Sequence, residues 1–148
     1  MKVVIQRSLE AKVSVDGKTV GQIDKGMVIL VGFTYNDTIE DIDYMINKII
    51  NMRIYDDEAG VMNKSILEVG GSILSISQFT LYADPYNGRR PSYVEALKGD
   101  EATKLYDLFN EKLSNHIHVE KGIFGADMKV SFTNDGPVTI LLESRKHA

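Results

Sequence analysis

The segment Ser75-Ile76-Ser77-Gln78-Phe79-Thr80-Leu81-Tyr82 gathers hydroxyls, an amide and an aromatic ring. In ideal strand geometry Ser75, Ser77 and Phe79 share one side, and Gln78 and Thr80 the other. Composition alone fits an ordinary strand, because Thr and Phe are good strand formers. The alternative is chemical: hydroxyls and backbone N–H groups at a strand end meet a reacting carbonyl. Thr80 as a nucleophile would need a base, and no histidine is close in sequence. A second segment, Asn134-Asp135-Gly136-Pro137-Val138-Thr139, lies between two apolar runs and reads as a turn. Yet Gly-Pro leaves carbonyls free to accept from a ligand, and an X–Pro bond adopts cis at low cost. Gly88-Arg89-Arg90-Pro91 is either a phosphate-binding loop or a solvated one.

Metal chemistry has two weak candidates. His116, His118 and Glu120 would face one side of a strand, as a zinc or iron site requires. A solvated strand face after a helix end fits better, because no further His and no Cys completes a ligand set. His147, beside the C-terminus, adds nothing to them. Asp56-Asp57-Glu58 could hold a hard cation, but Ala59-Gly60 follows and the spacing builds no calcium loop, so an exposed turn is expected. No cysteine is present, which excludes a thiolate zinc site, a cysteine nucleophile and a disulfide framework. Phosphate-loop, dinucleotide-binding and nucleophile-elbow motifs are absent.

These residues need elements to hold them. Val13-Ser14-Val15 alternates, Asp16-Gly17 is a hairpin turn, and residues 19–23 resume the strand. The apolar run 27–33 suits a strand covered on both faces and is too short to cross a bilayer. Ile39, Ile42, Met45, Ile46, Ile49 and Ile50 paint one face of a helix, with Asp37 or Thr38 as its cap. Arg53-Ile54-Tyr55 reads as a strand, as do residues 72–82, 117–119, 128–133 and 138–143. A second helix is expected over 100–115, with Ala102, Leu105, Tyr106, Leu108, Phe109 and Leu113 buried. Seven or eight strands and two main helices imply sheet on sheet with helices covering one side. The 148 residues form a single domain, 1–148, with no repeat, linker or signal-peptide core, so a cytoplasmic protein is expected.

Taken together and in order, the motifs identify a family. Ser77-Gln78-Phe79-Thr80-Leu81 followed by Asn134-Asp135-Gly136-Pro137-Val138-Thr139 resembles the D-aminoacyl-tRNA deacylases of bacterial and eukaryotic type. Val4-Ile5-Gln6-Arg7 with Val15-Asp16-Gly17 resembles the family's start. Met52-Arg53-Ile54-Tyr55 with Met62-Asn63, Gly88-Arg89-Arg90-Pro91-Ser92-Tyr93 and Gly122-Ile123-Phe124-Gly125-Ala126-Asp127-Met128 match in turn. The departures are Tyr93, where phenylalanine is common, and Arg89.

The resemblance implies an α/β fold of three layers, β/β/α, and a homodimer with its active site at the subunit interface. It implies hydrolysis of the ester joining a D-amino acid, or glycine, to tRNA. Ser77, Gln78, Phe79 and Thr80 would line the reaction pocket, with Phe124, Ala126 and Met128 as substrate contacts. Gly136 and Pro137 would form a cis-proline motif entering the other subunit's pocket. No cofactor, metal, DNA or membrane partner is expected. Two other classes stay open: a metal-dependent hydrolase using His116, His118 and Glu120, and a non-enzymatic nucleic-acid adaptor. Net charge is -4, which by itself argues against an RNA partner. The acidity is local, however. Residues 37–58 carry seven carboxylates against Lys48 and Arg53, a net -5, leaving +1 for the remainder. Arg89, Arg90 and Lys98 are therefore candidates for contact with tRNA phosphates.

Overall fold

The computed structural model describes residues 1–145; His147 lies outside them. Strand β1 (Lys2–Val15) turns at Asp16 and Gly17 into β2 (Lys18–Ile23). Both turn residues have positive φ, 50° and 78°, as a tight two-residue hairpin requires. Strand β3 (Gly26–Gly32) pairs antiparallel with the first half of β1, so that Val3 opposes Val31. Helix α1 (Ile39–Asn51) and a small hairpin, β4 (Tyr55–Asp56) with β5 (Met62–Lys64), lead to β6 (Ser72–Ser77), which runs parallel to β3. Helix α2 (Gly99–Ser114) then carries the chain to β7 (Val119–Lys121), parallel to β6. Strand β8 (Lys129–Glu143) returns along the whole of β1.

The sheet order is β2-β1-β3-β6-β7, with β8 on the free side of β1. Alternation along β3 shows why its run is continuously apolar. Met27, Ile29 and Val31 join Val3, Ile5 and Ile73 under the helices, against Ile42, Met45, Ile49, Tyr106 and Phe109. Val28 and Leu30 face the other way, with Leu74 and Ile76, and meet Ala11, Val13, Ile23, Val130 and Phe132. The second half of β1, with β2 and the start of β8, therefore forms an outer sheet over β3 and β6. Among the described residues, eight strands and two helices form the expected three-layer β/β/α arrangement.

Several boundaries differ from the sequence reading. The strand expected over 72–82 stops at Ser77, and Phe79–Tyr82 is a single 3-10 turn. Its neighbour β3 has ended at Gly32, so no partner backbone remains. Gln78 N–H donates to Val31 O at 2.8 Å, and the chain then folds back. Gly32 permits this, since a Cβ there would lie 2.9 Å from Gln78 O and 3.2 Å from Leu81 Cβ. Residues 134–139 are not a turn between two strands but a bulge within β8. Two steps along β1, from Gln6 to Ser8, face five along β8, from Thr139 to Asn134. The chain keeps the same partner on both sides and never reverses. Arg53 and Ile54 precede the short β4 rather than forming a strand, and residues 117 and 118 precede β7. Ile39 starts α1 outside the buried stripe and is 48% exposed. Thr38 is the cap residue, its N–H donating to Asp41 Oδ2 at 2.9 Å. Among the described residues no helix is long and apolar enough to cross a membrane.

Candidate active site

Parallel strands β3 and β6 end side by side, and the chain diverges after each. That divergence opens a crevice beyond their carboxyl ends, where α/β sheets commonly bind ligands. The cavity here is about 460 Å³. Its floor is Val31, Gly32 and Ile76, and its wall is Ser77, Gln78 and Phe79. The loop after β7 supplies Phe124, Ala126 and Met128, and the start of α2 supplies Lys98, Gly99 and Ala102. The Met128 side chain sits where a Cβ on Gly122 would project. Six sequence-identified residues, Ser77, Gln78, Phe79, Phe124, Ala126 and Met128, thus converge with Lys98 around one space.

The cavity is poor in acid–base side chains. Among the described residues no histidine lines it, and Asp127 at the edge is engaged by Lys129 Nζ at 3.1 Å. Thr80 stands just outside, its Oγ1 accepting from Gln78 Nε2 at 2.5 Å. Phe79 and Thr80 begin the 3-10 turn, so their N–H groups have no acceptor within it. At the mouth, Phe79 and Tyr93 meet edge to face at 5.2 Å. Lys98 Nζ sits 5.5 Å from the Phe79 ring and 5.6 Å from the Tyr93 ring, a cation against two aromatic faces. The positive end of α2 is offset by Asp100 and Glu101 in its first turn, so Lys98 is the cation on the cavity wall.

One buried residue ties the walls together. Tyr106, on α2, donates to Ser75 O at 2.8 Å, and Ser75 Oγ donates to Tyr106 Oη at 3.3 Å. Gly122 N–H donates to the same Ser75 carbonyl at 3.1 Å. Helix α2, strand β6 and the loop after β7 therefore meet two residues below Ser77. Burial pushes the Tyr106 hydroxyl above its usual pKa, so it is a neutral donor. Tyr106→Phe strands that carbonyl's second bond and should cost about 1–2 kcal/mol, read as a lower urea midpoint at unchanged slope. An unchanged midpoint would show the bond to be dispensable. In the sequence Tyr106 looked like one more apolar member of a helix stripe.

Gly136 and Pro137 do not line this cavity; both are exposed on the β8 bulge. Their peptide bond is cis. The bulge is clamped from both sides. Asn134 Oδ1 accepts from Val138 N–H at 2.8 Å, and Asn134 Nδ2 donates to Thr139 Oγ1 at 2.9 Å. Arg7, only 8% exposed, donates from Nε to Asp135 O at 2.8 Å and from Nη1 to Ile54 O at 2.7 Å. Sequence reasoning placed Arg7 only in the opening motif and missed this positioning role. The available signal was a charge two residues after Ile5, on the same strand face as Val3 and Ile5.

The remaining candidates stand apart. Arg89 and Arg90 are exposed on the loop before α2, with no ion pair among the described residues, and do not reach the cavity wall. His116, His118 and Glu120 do not form one strand row, since β7 begins only at Val119. His118 Nε2 pairs with Glu120 Oε2 at 3.0 Å, while His116 lies in a groove with Asp43 and Lys112. Asp57 closes its turn by accepting from Ala59 and Val61 N–H, and Glu58 pairs with Lys64 at 2.7 Å.

Comparison with known proteins defines the class. The model of the D-Tyr-tRNA(Tyr) deacylase family matches residues 4–143, and these are hydrolases acting on aminoacyl-tRNA. A solved structure described as c-Myc DNA Unwinding Element Binding Protein is 38% identical, with a TM-score of 0.92 over 97% of this chain and 99% of that one. A second, of a probable eukaryotic D-amino acid tRNA deacylase, shares the fold at 17% identity, with a TM-score of 0.82 over 95% of this chain and 97% of that one. The chain belongs to the D-Tyr-tRNA(Tyr) deacylase family.

Proposed function

We propose that this chain removes D-amino acids, and glycine, from tRNA in the cytoplasm, working as a homodimer. Water attacks the ester carbonyl, the bond to the terminal ribose oxygen breaks, and free tRNA and the amino acid leave. The observation that carries this reading is the separation of two features on one chain. A cavity poor in acid–base groups stands apart from a rigid, exposed Gly136–Pro137 bulge that is absent from its wall. A second copy can supply the bulge to the cavity.

That arrangement suits a chirality filter. Enantiomers carry the same chemical groups, so composition cannot separate them. Holding the amino group on the carbonyls around Gly136 and the ester carbonyl near Ser77–Thr80 leaves only the side-chain direction to differ. A backbone wall then rejects the L hand by collision. Glycine has nothing to collide and passes.

Hydrolysis asks little of side chains, because an aminoacyl ester is already reactive. The N–H groups of Phe79 and Thr80, which open the 3-10 turn, receive the developing oxyanion. Gln78 orients Thr80, and Ser77, Phe124, Ala126 and Met128 shape the pocket around the ester. The neighbouring ribose 2′-hydroxyl positions and activates the water. Arg89, Arg90 and Lys98 meet phosphates of the acceptor end. Few such contacts are needed, so binding should weaken only gently with salt. The test is hydrolysis of D-tyrosyl-tRNA by the purified protein; no release would refute the reading.

A competing partner has one observation behind it: the 38%-identical relative is described as binding a DNA unwinding element. Tight duplex DNA binding by a protein that releases no D-amino acid would favour an adaptor over an esterase.

A further inference from the structure

Between the 3-10 turn and α2, residues 83–98 leave the cavity rim and come back to it. Phe79 precedes this excursion and Tyr93 lies near its end, and their rings touch at 5.2 Å. Lys98 covers both rings. The loop between is braced by its own hydrogen bonds. Asp84 and Ser92 exchange backbone hydrogen bonds of 2.8 and 2.9 Å. The Asp84 carboxylate accepts from Tyr86 N–H at 2.9 Å and from Asn87 Nδ2 at 3.2 Å. Gly88, with φ +75°, makes the tip.

This internal bracing presents Tyr86 to solvent with its side chain unpacked: the residue is 90% exposed. A large aromatic side chain held out on a braced loop gains nothing for folding. Arg89 and Arg90 follow it directly, and neither has an ion-pair partner among the described residues. Asp84, the nearest acid before Tyr86, is already occupied by the loop. Residues 83–98 carry Arg89, Arg90 and Lys98 against Asp84 and Glu95, a net +1 in a chain of net -4. An aromatic face beside unpaired cations is the composition that holds single-stranded nucleic acid, through stacking and phosphate contact.

We infer that residues 84–92 form a docking arm for the unpaired nucleotides just before the terminal one, with a base stacked on Tyr86 and phosphates on Arg89 and Arg90. The inference rests on the deacylase reading, which puts the terminal ribose at the cavity. The strand leading to that ribose must pass the rim from which this loop rises.

The test is titration of a fluorescent single-stranded RNA ending in CCA with the full chain. Tyr86→Ala should weaken binding about tenfold and Tyr86→Phe should keep it, since both rings stack. Arg89→Ala should lower the slope of log affinity against log salt by about 0.7. Equal affinity of Tyr86→Ala and the unsubstituted protein, or no RNA binding by either, overturns the inference. Hydrolysis of D-tyrosyl-tRNA by the same preparations separates the two ideas. Hydrolysis combined with unaltered RNA affinity in Tyr86→Ala sinks the docking arm alone. Tyr86-dependent RNA binding in a protein that hydrolyses no D-aminoacyl ester sinks the deacylase reading alone.

Discussion

Gly136→Ala should lower kcat/KM for D-tyrosyl-tRNA about a hundredfold or more and narrow the preference for D over L substrate. The backbone leaves no room for the substitution. Gly136 has φ +133°, a conformation that residues with a Cβ rarely adopt. A Cβ there would lie 2.9 Å from Val138 Cγ2 and 3.1 Å from Arg7 Nη2. Arg7 is held by two backbone carbonyls and cannot withdraw freely. The bulge must therefore shift, and a displacement of about 1 Å in a positioned group costs on the order of a hundredfold in rate. The strain should also cost about 1–3 kcal/mol of stability, so thermal unfolding and circular dichroism are measured beside the kinetics. A folded variant with the original kcat/KM and D/L ratio would show that the bulge is not the chirality filter.

Replacing the terminal ribose by its 2′-deoxy form should slow hydrolysis at least about a hundredfold, within the usual range for a positioned acid–base group. Thr80→Ala should cost less than about tenfold. The contrast follows from what lines the cavity. Thr80 Oγ1 has Gln78 Nε2 as its close side-chain partner, an amide that donates to it and cannot take its proton. Among the described residues no histidine lines the wall, and Asp127 at its edge is engaged by Lys129, so no free base stands on the wall to activate the hydroxyl for attack. On the proposed reading, the ribose 2′-hydroxyl relays a proton from water to the departing 3′ oxygen. Normal turnover of the deoxy substrate together with a dead Thr80→Ala would reverse the assignment.

The legible parts of this protein are those fixed by local pattern. The unbroken apolar run from Met27 to Val31 foretells a strand between two layers. Ile42, Met45, Ile46, Ile49 and Ile50 foretell the buried face of α1. Asp16-Gly17 foretells the hairpin. What pattern could not give was the end of β6 at Ser77. Strand propensity continues through Phe79 and Thr80, and only the loss of β3 as a neighbour stops it. The bulge was equally hidden, since Asn134-Asp135-Gly136-Pro137 has turn chemistry wherever it occurs and only the continued pairing of β1 makes it a bulge. Phe124, Ala126 and Met128 carry no chemical signature and were placed by family resemblance alone. Arg7 and Asp135 are 128 residues apart in sequence yet joined by one hydrogen bond, a contact that no local window contains. The net charge was misleading as a total. None of the carboxylates within residues 37–58 lines the 460 Å³ cavity, so the acidic segment does not oppose RNA there.

The central claim is an esterase that sorts by handedness without metal or catalytic base. Its most direct test is release of D- against L-tyrosine from charged tRNA by the purified protein, with and without exhaustive chelation. Rapid release of D-tyrosine, little release of L-tyrosine and indifference to chelator are the expected result. Equal release of both enantiomers, or activity abolished by chelator and restored by a divalent metal, would contradict it.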